Sequence, residues 1–233
     1  ELAEKAARLV GRGAAGRLSF SGSEADLLAR INAGLRDGFE RLPRTLEASP
    51  VHAQVFGPVK PSRVSFALSR LQLSGYYSPW SGEAQINVEM PRSLWPRVAA
   101  HEKAHQRGFA REDEATVVGV LACVVSFDPS VFYAGALGLF VGFDRDLART
   151  DPEARRRIWT TLAPQAAEDL RLEAAFWRAH DGFAGALSER ANDTYLKAQG
   201  VRSGVGSYSE TTRLFLRAID AGLVDFGPEE SGR

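Results

Sequence analysis

The chain has 233 residues, of which 44% are hydrophobic and 25% charged, the composition of an ordinary globular protein of one large or two small domains. Its 29 basic and 29 acidic residues cancel to zero net charge, which excludes the basic surplus of a nucleic-acid-binding protein. The single cysteine, Cys123, rules out an internal disulfide and reads as a small core residue within the apolar run 120–125.

Residues 2–10 are Ala-rich with charges at helical spacing and predict a short helix or the end of a linker, broken by Gly11, Gly13 and Gly16. Gly11-x-Gly13-x-x-Gly16 spells a dinucleotide fingerprint, but no strand precedes it, so it carries no such function. Ser21 to Glu24 offers an N-cap, and Leu27, Leu28, Ile31, Leu35 and Phe39 recur with helical period until Pro43 and Pro50. Residues 51–61 read as extended or loop, and 64–73 are ambiguous between helix and strand. Two aromatic or β-branched runs then flank Pro79-Trp80-Ser81-Gly82, which is hairpin chemistry. Ala84, Ile86 and Val88 alternate with Gln85, Asn87 and Glu89, as in a half-buried strand near a sheet edge. A strand at 84–87 could therefore align a peptide by edge pairing.

A helix follows from about Leu94 to Gly108, where the glycine closes it, and a second from Arg111 to Ser126. Residues 131–147 form a glycine-spotted apolar helix whose apolar run, Val131 to Phe143, is too short to cross a bilayer. Further helices are expected from Asp151 to Leu162, from Gln165 to His180 with Leu170, Ala174 and Trp177 on one side, from Phe183 to Gln199, and from Ser209 to Leu223. The sum is an α+β protein, mainly helical, with one small sheet. An N-terminal helical segment covers 1–50, a catalytic domain 51–226 and a frayed tail 227–233.

The stretch with chemistry is His101-Glu102-Lys103-Ala104-His105, the His-Glu-x-x-His signature. Four residues apart on a helix, the two imidazoles share a face and reach one metal ion, while Glu102 stands beside it as a general base for an activated water. The alternative is a solvated helix face with two incidental histidines. A catalytic zinc site needs a third protein ligand. The metzincin position, six residues after His105, is Arg111, which excludes that class. Glu112 and Glu114 are the candidates. Glu112 is favoured because Ala115 at +3 lets its helix approach the first and Thr116 at +4 can hold a metal-bound histidine. From Glu114 the same positions are Val117 and Val118, which offer no such partner.

The run from His101 through Gly108-Phe109-Ala110-Arg111-Glu112 to Ala115 resembles the core motif of a bacterial zincin-like family, domain of unknown function 3810. Gly75 to Asn87 upstream, and Asn192 to Gly200 with Gly204 to Tyr208 downstream, fit the same family. The resemblance spans roughly residues 64–218. It implies a zincin-like metallopeptidase fold with the sheet beside the active-site helix, usually carried behind N-terminal membrane helices. On that implication the native protein is anchored in a bacterial envelope with this domain outside the cytoplasm, through a segment absent from this chain. Glu1 in place of an initiator methionine agrees with a trimmed sequence. Two departures stand out: Thr116 where the family usually has Asn, and Lys103 in place of an apolar residue, which predicts an exposed helix face there.

The leading expectation is a peptidase acting on a peptide or protein substrate, with Zn²⁺ held by His101, His105 and Glu112 and Glu102 as base. Its rival is a zincin-fold binding or sensor protein that holds zinc without hydrolysing anything. Tyr195 and Tyr208 are candidate donors to the oxyanion, with a buried polar network around Asn192 and Asp193 as the alternative for the first. His52 and His180 read as surface or capping residues.

Overall fold

A computed structural model describes residues 1–16, 20–43, 57–182 and 209–227. Helix α1 spans Leu2–Gly16 and α2 Glu24–Arg41, the latter capped by Ser23, whose side chain accepts from the Asp26 amide. Strand β1 is Lys60–Pro61, helix α3 Ser65–Arg70, strand β2 Gly75–Ser78 and strand β3 Glu83–Ile86. Helices α4 (Trp95–Gln106), α5 (Glu112–Val124), α6 (Pro129–Thr150), α7 (Pro152–Thr161), α8 (Pro164–Ala179) and α9 (Glu210–Asp220) follow. The molecule is mainly helical with one three-stranded sheet. Among the described residues no helix is long and apolar enough to cross a membrane.

Two large apolar cores meet at α5, and a small third cluster of Ala104, Ala115 and Val118 lies between α4 and α5. One gathers α1, α5 and α6 with α7 to α9 around Leu9, Val10, Tyr133, Phe140 and Phe215. The other gathers α2, the sheet and α4 around Leu27, Ile31, Leu35, Ile86 and Trp95. Residues 1–41 thus contribute to both cores. Helix α1 does not break at its glycines as expected. Gly13 lies against α6, where an added Cβ would stand 3.0 Å from the Tyr133 Cα. Burial of Ala6, Leu9 and Val10 beside it offsets the cost of helical glycine, about 1 kcal/mol each relative to alanine.

The ambiguous stretch 64–73 contains the short helix α3. The sheet order is β1-β3-β2, with β1 parallel and β2 antiparallel to β3. The strand at 84–87 is therefore central rather than an edge, which removes Ala84, Gln85, Ile86 and Asn87 as an edge for substrate pairing. Asn87 also departs from the alternation. It is fully buried and its side-chain amide donates to Ser69 and to the Leu73 carbonyl. In α8 the buried face carries Ala166, Ala167 and Asp169, and Ala174 is exposed instead of inward. Asp169 turns inward because the Tyr133 hydroxyl donates to it at 2.5 Å. The helix expected over 183–199 lies outside the described residues.

Candidate metal centre

Helix α4 is fixed at both ends. Pro96 sits in its first turn, and the buried Trp95 indole donates to the Met90 carbonyl at 3.1 Å. At the far end Gly108, at φ +92°, takes the left-handed conformation. Its amide donates to the His105 carbonyl and that of Phe109 to the Ala104 carbonyl, a Schellman closure. The return turns the chain straight into α5, which begins at Glu112 and carries its first acid back over the two histidines.

His101, His105 and Glu112 converge. The two Nε2 atoms lie 3.0 Å apart, and Glu112 places one carboxylate oxygen 3.1 Å from His101 Nε2 and the other 3.5 Å from His105 Nε2. Zinc–ligand bonds of about 2.0–2.1 Å at tetrahedral angles put neighbouring ligand atoms about 3.3 Å apart, so the triad fits such an ion. The outward nitrogens support this. His105 Nδ1 donates to the Phe109 carbonyl at 2.7 Å, which leaves Nε2 as an acceptor when the ring is neutral. Thr116 Oγ1 stands 3.2 Å from His101 Nδ1, the contact expected of it from spacing alone. Two imidazole nitrogens and a carboxylate thus meet at one point, where a shared proton or a cation can hold them together. Hydrogen bonds from His101 and His105 hold the Glu112 carboxyl well below the usual carboxylate range, against the opposing effect of burial. Burial opposes charge on His105, but neighbouring Glu112 outweighs it and raises that pKa.

Glu114 stays out of the cluster. It is 44% exposed and points to Arg111, whose guanidinium binds Asp113 in two hydrogen bonds. Glu102 is 4% exposed, and burial pushes its carboxyl up to about 7 despite His101 and His105 beside it. No donor among the described residues reaches that carboxylate. It rests instead against β2: a Cβ on Gly75 would stand 3.0 Å from Glu102 Oε1 and 2.7 Å from the Gln85 carbonyl oxygen. The exposed face expected at Lys103 is absent. Lys103 is buried and donates to the Gly57 carbonyl and to Gln106 Oε1, each at 2.7 Å. Burial, with Arg107 and Arg36 nearby, lowers its pKa to about 7. Gln106 Nε2 in turn donates to the Gly82 carbonyl at 2.6 Å, which ties the hairpin turn to α4.

Three contributors escaped the sequence reading. Gly119 lets α5 lie close against α4, since a Cβ there would stand 2.9 Å from backbone atoms of Ala100 and His101. A glycine among valines was the available signal. Gly75 makes room for Glu102, and the Phe109 carbonyl orients His105, a role no side-chain pattern could reveal. His180 is the C-cap of α8 and bonds to the Phe176 carbonyl, a capping role. Cys123 is a buried core residue whose thiol pKa burial pushes up. His52, Tyr195 and Tyr208 lie outside the described residues. Beside His101 and Thr116 a cleft of about 610 Å³ opens between α4, α6, α8 and α9.

The model of a family described as "Protein of unknown function (DUF3810)" matches residues 1–216. Neither a curated protein nor a solved structure matches the chain.

Proposed function

The chain belongs to the DUF3810 family, and we propose that it is a zinc-dependent peptidase of the zincin type. The observation that carries the reading is the triangle of His101 Nε2, His105 Nε2 and the Glu112 carboxylate, with sides of 3.0, 3.1 and 3.5 Å, beside a buried Glu102 that has no hydrogen-bond partner among the described residues. These three residues would hold the ion. Bound zinc would supply Lewis acidity towards a substrate carbonyl and bring the pKa of a water towards about 7. Glu102 accepts the proton of the attacking water and returns it to the leaving amine. Its burial favours this, because a base poised near neutrality both takes and gives a proton readily. Thr116 and the Phe109 carbonyl keep the imidazoles turned inward. Strand β2, the sheet edge beside Glu102, would pair with a substrate backbone.

The test is peptide cleavage by purified protein with a Glu102→Gln control that retains zinc. Cleavage lost by at least about 100-fold in the variant supports the reading, a loss typical of removing a general base. Stoichiometric zinc with no cleavage of any peptide would instead select the binding or sensor role.

A further inference from the structure

The cleft beside His101 has one wall on α4, where Leu94, Arg97, Val98 and His101 lie on a single helix face. Its other wall is α6, and its floor is apolar, built from Val120, Val141 and Phe215. The course of α6 along α5 follows from two contacts. Gly135 lies against Cys123 and Gly138 against Val120, three residues on along one helix and three back along the other. Further along, α6 brings Gly142, Arg145 and Asp146 into the cleft that His101 and Thr116 also line. The start of α9 closes the same end, since the Ser209 amide and hydroxyl both donate to Asp146 at 3.0 and 3.2 Å.

Three arginines line the cleft, and two are already neutralised. Arg97 binds Glu173 at 2.8 Å across from α4 to α8. Arg149 binds the buried Asp146. Arg145 is exposed and has neither a hydrogen bond nor an ion pair with another described residue. A guanidinium in a cleft that reaches His101 over an apolar floor is a site for a planar anion, and a carboxylate matches its paired N–H groups. The wall and floor strengthen the attraction by keeping water from one side of it.

From this geometry we propose that the cleft selects peptides by a carboxylate received by Arg145, so that the preferred substrate carries an acidic side chain or a terminal carboxylate near the bond to be cut. The proposal rests on the peptidase reading only for what happens to the peptide once bound. Arg145 is a specificity residue, and it takes no part in the proton transfer.

Three acetylated peptides of one Ala/Leu sequence test it: one with an internal Glu and an amidated end, its Gln counterpart, and that Gln peptide with a free C-terminal carboxylate. Binding is measured on full-length, zinc-loaded Glu102→Gln protein, and cleavage on the protein with Glu102 intact. The expected result is at least about ten-fold tighter binding of one carboxylate peptide over the amidated Gln peptide, with the favoured arm naming the source of the carboxylate. Added salt reduces the ratio, Arg145→Gln erases it, and Arg145→Lys keeps part of it. Equal or undetectable binding in all arms, or a preference that survives Arg145→Gln, overturns the proposal. A preference without cleavage sinks the peptidase reading alone, and cleavage without preference sinks the proposal alone.

Discussion

At the scale of single residues, the proposed centre depends on how each candidate ligand is held from behind. Glu112 needs no external support, because its carboxylate spans both histidines. His101 is different: its outer nitrogen has only the Thr116 hydroxyl as a described hydrogen-bond partner. Such outer partners are worth about 10–100-fold in metal affinity. Thr116→Val removes the hydroxyl at nearly constant volume and is expected to weaken zinc binding by about that factor. Competition against a chromophoric chelator measures it, and an unchanged affinity would mean that the 3.2 Å contact does no orienting. Thr116→Asn should retain most of the affinity, since its side-chain oxygen can accept the same proton.

At the scale of elements, the fold around the proposed centre depends on two close contacts. The first is α4 against α5 at Gly119, where backbone meets backbone. Gly119→Ala forces the helices apart and is expected to cost about 1–3 kcal/mol of stability along with zinc affinity. The contrasting case is Gly11 in α1, where an added Cβ would meet nothing within 4 Å. Gly11→Ala should therefore stabilise by about 0.5–1 kcal/mol. Urea denaturation of the two variants checks both signs, and equal effects would contradict the account.

The second contact joins α6 to α9 through Asp146. Burial raises its pKa, but hydrogen bonds from Thr212, Ser209 and Arg149 outweigh that and lower it below 3.8. A carboxyl with a depressed folded pKa contributes stability that is complete above its unfolded value and is lost as pH falls through the folded one. Asp146→Asn should therefore be less stable than the native chain at pH 7, by about 1–3 kcal/mol, and the gap should narrow below pH 3.8. Parallel thermal melts of the two proteins from pH 7 to 3 would show this. A gap that stays constant would mean that the charge on Asp146 is not what holds α9.

At the scale of the whole molecule, the centre lies where the two cores meet, with the histidines on a helix of one core and the glutamate on the helix that borders both. Much of this was legible in the sequence because it is local. Histidines four apart, a glycine that ends the helix, and an acid followed by Ala115 and Thr116 bring His101, His105 and Glu112 together within sixteen residues, and the hairpin is equally local. What escaped depends on distant chain. Lys103 appeared solvent-facing because nothing nearby shows that the Gly57 carbonyl covers it. The strand at 84–87 appeared to be an edge because β1, a pair of residues more than twenty positions earlier, leaves no periodic trace. Helix α1 passes its glycines because α6 lies against it. The cleft was not foreseen, since its walls come from four helices spread over the chain.

The central claim is that His101, His105 and Glu112 hold a single zinc ion. It is tested most directly by the zinc content of purified protein, determined by mass spectrometry for the native chain, Glu112→Gln and Glu114→Gln. The account predicts one zinc per chain in the native protein and in Glu114→Gln, with the metal lost from Glu112→Gln under the same dialysis. A native chain that holds no zinc, or a Glu112→Gln variant that keeps it while Glu114→Gln does not, would contradict it.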